Sequence, residues 1–272
     1  MPLNPACARR SYSPPAVRVR TEAVQRYIHA LQEDNAHFLE LHGQSGLVAP
    51  PLYAAVLALP AVCDALADPA LGVTPTELLP RGCDFQFAQP IRAAREIAIS
   101  ASFDDVTRTE EGEETAILLE GARRGGVPVF AGAFRLLLPA KPGTDPALQP
   151  ASHFLRPPLA FRAQYNVVPN ARRLLPESPD GGLPAAAERF LGQTLGLCYA
   201  AKAVIDASLK RDPAQLKRIS ARPLRPPEPR EPIVIAGWIM EARRDTTFFG
   251  FEILAEDGSL IMADGRAEMM LA

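Results

Sequence analysis

Asp34, Asn35 and His37 place a carboxylate, an amide and an imidazole within four residues of one another. A carboxylate and an imidazole are the side chains that most often move protons in catalysis. The stretch from Gln32 to Phe38 closes a predicted helix, and residues i and i+3 at a helix end share a face, so Asp34 and His37 form a candidate acid–base pair. The same residues also read as a helix stop, with His37 an ordinary turn residue. The remaining histidines are His29, on the solvated side of the helix, His42, in a Gly-containing turn, and His153, in a Pro-rich stretch; none follows His153. Other chemistries find less. Cys7, Cys63, Cys83 and Cys198 form no CxxC pair and no metal-ligand spacing, and read as buried free thiols. Arg124-Gly125-Gly126 reads as a hairpin and not a phosphate loop, no nucleophile elbow occurs, and the acidic run Glu110–Glu114 reads as a solvated loop. No metal and no cofactor is expected.

The elements that must position these residues come in two similar series. Thr21 opens a helix whose Val24, Tyr27, Ile28 and Leu31 share one face, and a second helix, from about Leu52 to Ala67, is apolar nearly all round and so is expected to be buried. The period then changes to that of strands over Cys83–Gln89, Glu96–Arg108, Glu114–Arg123 and Val127–Leu138. The second half repeats the order: a strand over Leu159–Val168, a buried helix over Phe190–Leu209, then strands over Leu216–Arg222, Ile233–Ala242, Thr246–Ala255 and Ser259–Leu271. Ile97-Ala98-Ile99 follows Pro90 by seven residues, as Ile233-Val234-Ile235 follows Pro226, and Gly132–Leu136 matches Gly265–Met269. Two matches in one order, at offsets near 135, indicate a duplication. The expected fold is α+β: two tandem domains, each a long buried helix wrapped by an antiparallel sheet, over residues 1–140 and 159–272, joined by a Pro-rich linker over 141–158. Fusing their edge strands into one sheet would remove two exposed edges.

This arrangement is the hotdog fold, and several stretches resemble MaoC-like acyl-thioester hydratases and dehydratases. Asp34-Asn35-Ala36 ahead of Gly46-Leu47-Val48-Ala49-Pro50-Pro51 is similar to that family's Asp-Asn-Pro ahead of Gly-x-x-Ala-Pro-Pro. Phe85–Ile91 resembles the strand that follows, Leu195-Gly196-Leu197-Cys198 the family's His-Gly-Leu-Cys helix start, and Ile219–Pro226 its Arg-Phe-x-x-Pro strand. The matches span residues 20–272. They imply water addition to, or removal from, an acyl chain carried as a thioester on coenzyme A or acyl carrier protein, with an Asp and a His as proton carriers and a helix N–H polarising the carbonyl. By that resemblance Asn35, Gly196 and Leu197 are candidate substrate-binding residues, although Gly196 could equally serve close helix–sheet packing. The family's Asp-x-Asn-Pro-x-His is absent. Residues 170–182 read Asn-Ala-Arg-Arg-Leu-Leu-Pro-Glu-Ser-Pro-Asp-Gly-Gly in its place, and Leu195 stands for the helix-start histidine. Two functions therefore remain open: a hydro-lyase of fatty acid metabolism with an atypical dyad, or a catalytically degenerate partner subunit or acyl-thioester binder. A third, thioester hydrolysis, would need a carboxylate near the helix start, for which Asp180 and Glu188 are available.

Composition narrows the partners. Net charge is −2 with both signs mixed along the chain, which excludes a nucleic-acid footprint. Arg172–Arg173 and Lys210–Arg211 read as solvated loops or helix ends. The apolar stretch 48–66 is broken by Pro50, Pro51 and Pro60, too short and interrupted for a membrane span, and the N-terminus lacks a signal-peptide core. A cytoplasmic protein is expected, acting as a homodimer or as a heteromer with another MaoC-like subunit.

Overall fold

The computed structural model describes residues 2–39, 47–140, 158–168, 185–208 and 210–271. In the first half, two short strands, β1 (Ser11–Tyr12) and β2 (Val17–Arg18), precede the helices α1 (Thr21–Ala30), α2 (Ala36–Leu39) and α3 (Tyr53–Ala67). The strands β3 (Leu79–Phe87), β4 (Glu96–Phe103), β5 (Thr107–Arg108), β6 (Gly112–Arg123) and β7 (Val127–Pro139) follow. The second half runs β8 (Phe161–Asn166), α4 (Ala185–Ala207), β9 (Leu216–Pro223), β10 (Pro232–Ala242), β11 (Thr246–Ala255) and β12 (Leu260–Met270).

All twelve strands join one antiparallel sheet in the order β1-β4-β6-β7-β3-β9-β12-β11-β10-β8, with β2 also on β4 and β5 on β6. The order is palindromic about the β3–β9 pair, so β3, β4, β6 and β7 correspond to β9, β10, β11 and β12. Ile97 and Ile233, matched in the sequence, are both buried near the starts of β4 and β10. The two halves meet through main-chain pairs from Cys83↔Ala221 to Gln86↔Arg218. Each half's edge strand thereby becomes an interior strand, as the fused-edge expectation requires.

The helices lie on one face of this sheet. Eleven of the fifteen residues of α3 are buried, because it packs on β4 and β6 and against α4. An enclosed helix needs no polar stripe, which is why its sequence is apolar on almost every side. The strand glycines fit the same geometry. Gly121, Gly132, Gly237, Gly250 and Gly265 each stand directly across from an aromatic residue, respectively Phe130, Phe85, Phe161, Trp238 and Phe251, whose ring covers the missing side chain. Glycine with a covering ring on the neighbouring strand lets a sheet curve without leaving a hole.

Three local expectations change. β3 starts at Leu79, four residues early, because β7 is long enough to pair Leu79 with Leu137. The acidic run is not simply a solvated loop: Gly112 opens β6, Glu111 pairs with Arg81 at 2.5 Å, and Glu113 accepts the Leu3 N–H at 2.7 Å. α4 begins at Ala185, a turn before Phe190, and ends at Ala207. The Pro-rich stretch 141–157 and the residues 169–184 lie outside the described residues, and with them His153 and Asp180; so does His42.

Candidate functional site at the junction of the halves

The segment from Gln32 to His37 is shaped by two caps back to back. α1 ends in a Schellman motif, in which the Gln32 N–H donates to the His29 carbonyl at 3.1 Å and the Glu33 N–H to the Ile28 carbonyl at 3.0 Å. That motif needs a left-handed residue, and Gln32 supplies it at φ 52° where glycine is usual. Asn35 then caps α2, its Oδ1 accepting the His37 N–H at 3.0 Å. Two turns of chain thus turn Glu33 inward, leave Asp34 at the surface, and bury Asn35. Asn35 also donates from Nδ2 to the Arg211 carbonyl at 2.7 Å, tying the first half to the segment after α4.

Lys202, on α4, organises the charges. Its side chain is 7% exposed, and its Nζ donates to Glu33 Oε1 at 3.0 Å and Asp34 Oδ1 at 2.8 Å, with Asp206 Oδ2 at 3.7 Å. Arg211 completes the network, 2.6 Å from Asp206 and 3.5 Å from Asp34. Burial pushes the Lys202 pKa down, but the hydrogen bonds to Asp34 and Glu33 outweigh it and hold the ammonium above its ordinary value. The Lys202 hydrogen bond in turn holds the Asp34 carboxyl below the usual carboxylate range. Oxygens of Glu33, Asp34 and Asp206 lie within 4.8 Å of one another, a spacing a metal ion can bridge. The charge such an ion would bring is already there as the Lys202 ammonium, so the donor set fits a built-in cation better than a metal.

Next to this network lies a row of neutral polar groups. The Tyr27 hydroxyl meets the Cys198 thiol at 3.2 Å, and the Tyr27 and Tyr53 rings are edge-to-face at 5.1 Å. Tyr199 accepts the Val168 N–H at 3.0 Å and donates to the Asn166 carbonyl at 3.4 Å. Burial raises the Tyr27 and Cys198 pKa values, the latter to about 12, so the thiol is un-ionised at neutral pH and a poor nucleophile. Cys7 and Cys83 are likewise buried free thiols, while Cys63 is half-buried.

The sequence candidates fall in different places. Asp34 and Asn35 stand at the end of α4 that carries Lys202, while His37 is half-buried on the short helix α2. Gly196 is the twelfth residue of α4, where a backbone N–H belongs to the helix ladder. It faces the sheet: a Cβ there would come within 2.9 Å of Met262 Sδ and 3.4 Å of Ile253 Cδ1. Leu197 is fully buried. His29 is on the exposed side of α1. Glu188 lies in α4, and its side chain lies outside the described residues. Sequence reasoning passed over Glu33, Lys202 and Asp206. The signal was present, since a lysine interrupts the apolar run of α4 with an aspartate four residues on, the spacing of an intrahelical ion pair. Beside the network, a cleft of about 480 Å³ is bordered by the exposed Gln25, His29, Gln32 and Leu39, with Ile28, Phe38 and Leu47 buried beneath them.

The duplicated helix-in-sheet unit, fused through β3 and β9, makes this chain a double hotdog. Its architecture is that of the MaoC-like dehydratases: one from Phytophthora capsici matches at a TM-score of 0.68 and 15% identity, over 99% of this chain and 98% of that one. A conserved Mycobacterium tuberculosis protein described as a double hotdog matches at 0.60 and 12%, over 96% and 95% of the two chains. The 12:0-ACP thioesterase of Umbellularia californica matches at 0.57 and 7%, over 96% and 93%. At these identities the likeness is one of fold. No protein-family model matches the sequence, and no curated protein matches it significantly.

Proposed function

We propose that this chain is a MaoC-like double hotdog that binds acyl thioesters of coenzyme A or acyl carrier protein, and that it does so as a partner subunit that does not itself carry out the Asp/His hydro-lyase step. The observation that carries the reading is the engagement of Asp34. A general acid or base at neutral pH needs a pKa near 7; Asp34 is held the other way, by Lys202 at 2.8 Å. The second half contributes no histidine. The cleft beside Glu33 has the volume of a small-molecule site, with Leu39 as its exposed apolar side chain. The dehydratase and thioesterase neighbours support an acyl thioester as the ligand class.

The same reading covers the remaining assignments. Residues 1–140 and 159–272 form the two hotdog domains and 141–158 the linker between them. A heteromer with a catalytic MaoC-like subunit is the working assembly, in the cytoplasm and within fatty acid metabolism. No helix among the described residues is long and apolar enough to cross a membrane.

Binding is tested with S-decanoyl pantetheine, a thioester without a nucleotide, titrated calorimetrically into the full chain. Saturable binding is expected, weakened about tenfold, or roughly 1.4 kcal/mol, by Gln25→Trp. Gln25 is exposed on α1 and lines the cleft, so a larger side chain narrows it without touching the core. No heat at millimolar thioester would reject the ligand class.

A further inference from the structure

The sheet's other face, away from α3 and α4, carries a groove of about 660 Å³ across the seam where the halves join. Its residues alternate along the strands with core residues. Gly82 and Asp84 flank buried Cys83, Arg218 and Ser220 flank Ile219, and Arg266 and Glu268 flank Ala267, so these side chains point away from the helices. The floor is shallow because its central residues, Gly82 and Ser220, are small. The rim is basic, with Arg81, Arg135, Arg218, Arg222 and Arg266.

The charges do not cancel. Arg218 is paired with Asp84, and Arg222 with Asp264 at 2.7 Å. Arg81 is paired with Glu111, and Glu241 with Arg243. Among the described residues, Arg135 and Arg266 have no ion-pair partner, against one unpaired carboxylate, Glu268. Arg135 stands on β7 and Arg266 on β12, three strand spacings apart, or roughly 14 Å between backbones. Two arginine side chains extending over the small floor from opposite sides can converge on one anion. One wall is apolar: Met240 is 52% exposed, and Phe248 lies beside it. Guanidinium groups bind phosphate through paired N–H donors, and the groove's volume is that of a site for a small organic molecule.

We propose that this groove binds a phosphorylated small molecule of nucleotide size, its phosphate between Arg135 and Arg266 above Gly82 and Ser220, its organic part against Met240 and Phe248. The site is separate from the acyl cleft and goes beyond acyl-thioester binding. Glu268 borders the same space and opposes an anion there, which fixes the sign of a charge-removal test.

Calorimetric titration of the full chain at low salt with inorganic pyrophosphate and with adenosine 3′,5′-bisphosphate tests it. Both probes are expected to bind saturably, the nucleotide at least threefold tighter because it also uses the apolar wall. The Arg135→Gln/Arg266→Gln variant, altered only at exposed positions, is expected to bind at least tenfold more weakly with an unchanged melting temperature. Glu268→Gln is expected to bind severalfold more tightly. Absence of saturation by either probe at several millimolar, unchanged affinity in the double variant, or no preference for the nucleotide would overturn the proposal. None of these results alters the pantetheine thioester titration, which uses a ligand without phosphate.

Discussion

Replacing Lys202 with methionine keeps the length of the side chain and removes the charge that Glu33 and Asp34 share. Glu33 is 3% exposed at its side chain, so its carboxylate is then buried without a counter-ion. Breaking a buried pair from one side costs about 3–5 kcal/mol, and urea unfolding of Lys202→Met is expected to show a loss near the lower figure. The Glu33→Gln/Lys202→Met double variant is expected to recover most of it, since neither partner is left charged. The network also sets a pH window. Asp34 titrates below its unfolded value of about 3.9, so its contribution is present above that pH and is lost as pH falls through the lower folded value. Lys202 titrates above its unfolded value of about 10.4, so its contribution is present below that pH and is lost as pH rises through the higher folded value. Unfolding free energies are expected to be flat between about pH 5 and 10 as far as this network is concerned. In Lys202→Met the alkaline decline should disappear and the acid one shrink; an unchanged profile would show that the network contributes nothing. At this scale the sequence was readable in part. Asp34 and Asn35 drew attention by their types, but the partner that determines the protonation of Asp34 is 168 residues away. No local pattern joins them.

Two glycines separate helix packing from sheet packing. At Gly265 an added Cβ would meet the Phe251 carbonyl oxygen as well as its ring, and β11 cannot withdraw without breaking its pairing to β12. Gly265→Ala is expected to cost about 2 kcal/mol, the middle of the range for overpacking. At Gly196 the nearest atoms are Met262 Sδ at 2.9 Å and Cε at 3.1 Å, the mobile end of a side chain. Alanine also gains about 1 kcal/mol of helix propensity over glycine, so Gly196→Ala is expected to stay within about 1 kcal/mol of the parent. Thermal unfolding of both variants measures the contrast, and equal losses would contradict it. Most elements of this size were legible, because α3 and the long strands each keep one period over many residues. The start of β3 was not. Leu79-Pro80-Arg81-Gly82 has no alternation, and it is a strand because β7 offers it an edge.

Across the whole molecule the β3–β9 seam joins the halves by main-chain pairing as well as by side-chain packing. Residues 1–140 produced alone would expose the full outer edge of β3, and an open edge recruits another strand. Light scattering is expected to find that fragment dimeric or aggregated; a stable monomer would show that the seam is dispensable. The duplication itself was visible in sequence as repeated Pro-to-Ile spacings and paired glycine strands, since both copies must bend round a helix in the same way. What the groove on the outer face holds was not visible, because its five arginines come from four strands and are brought together only by the sheet order.

Whether this chain hydrates an enoyl thioester itself is directly measurable. Purified full-length protein incubated with trans-2-decenoyl-CoA, followed by loss of the conjugated thioester absorbance, answers that directly. No turnover above the buffer rate is expected, with Asp34→Ala and His37→Ala indistinguishable from the parent. Steady hydration that either substitution abolishes would contradict it and make Asp34 and His37 a working pair.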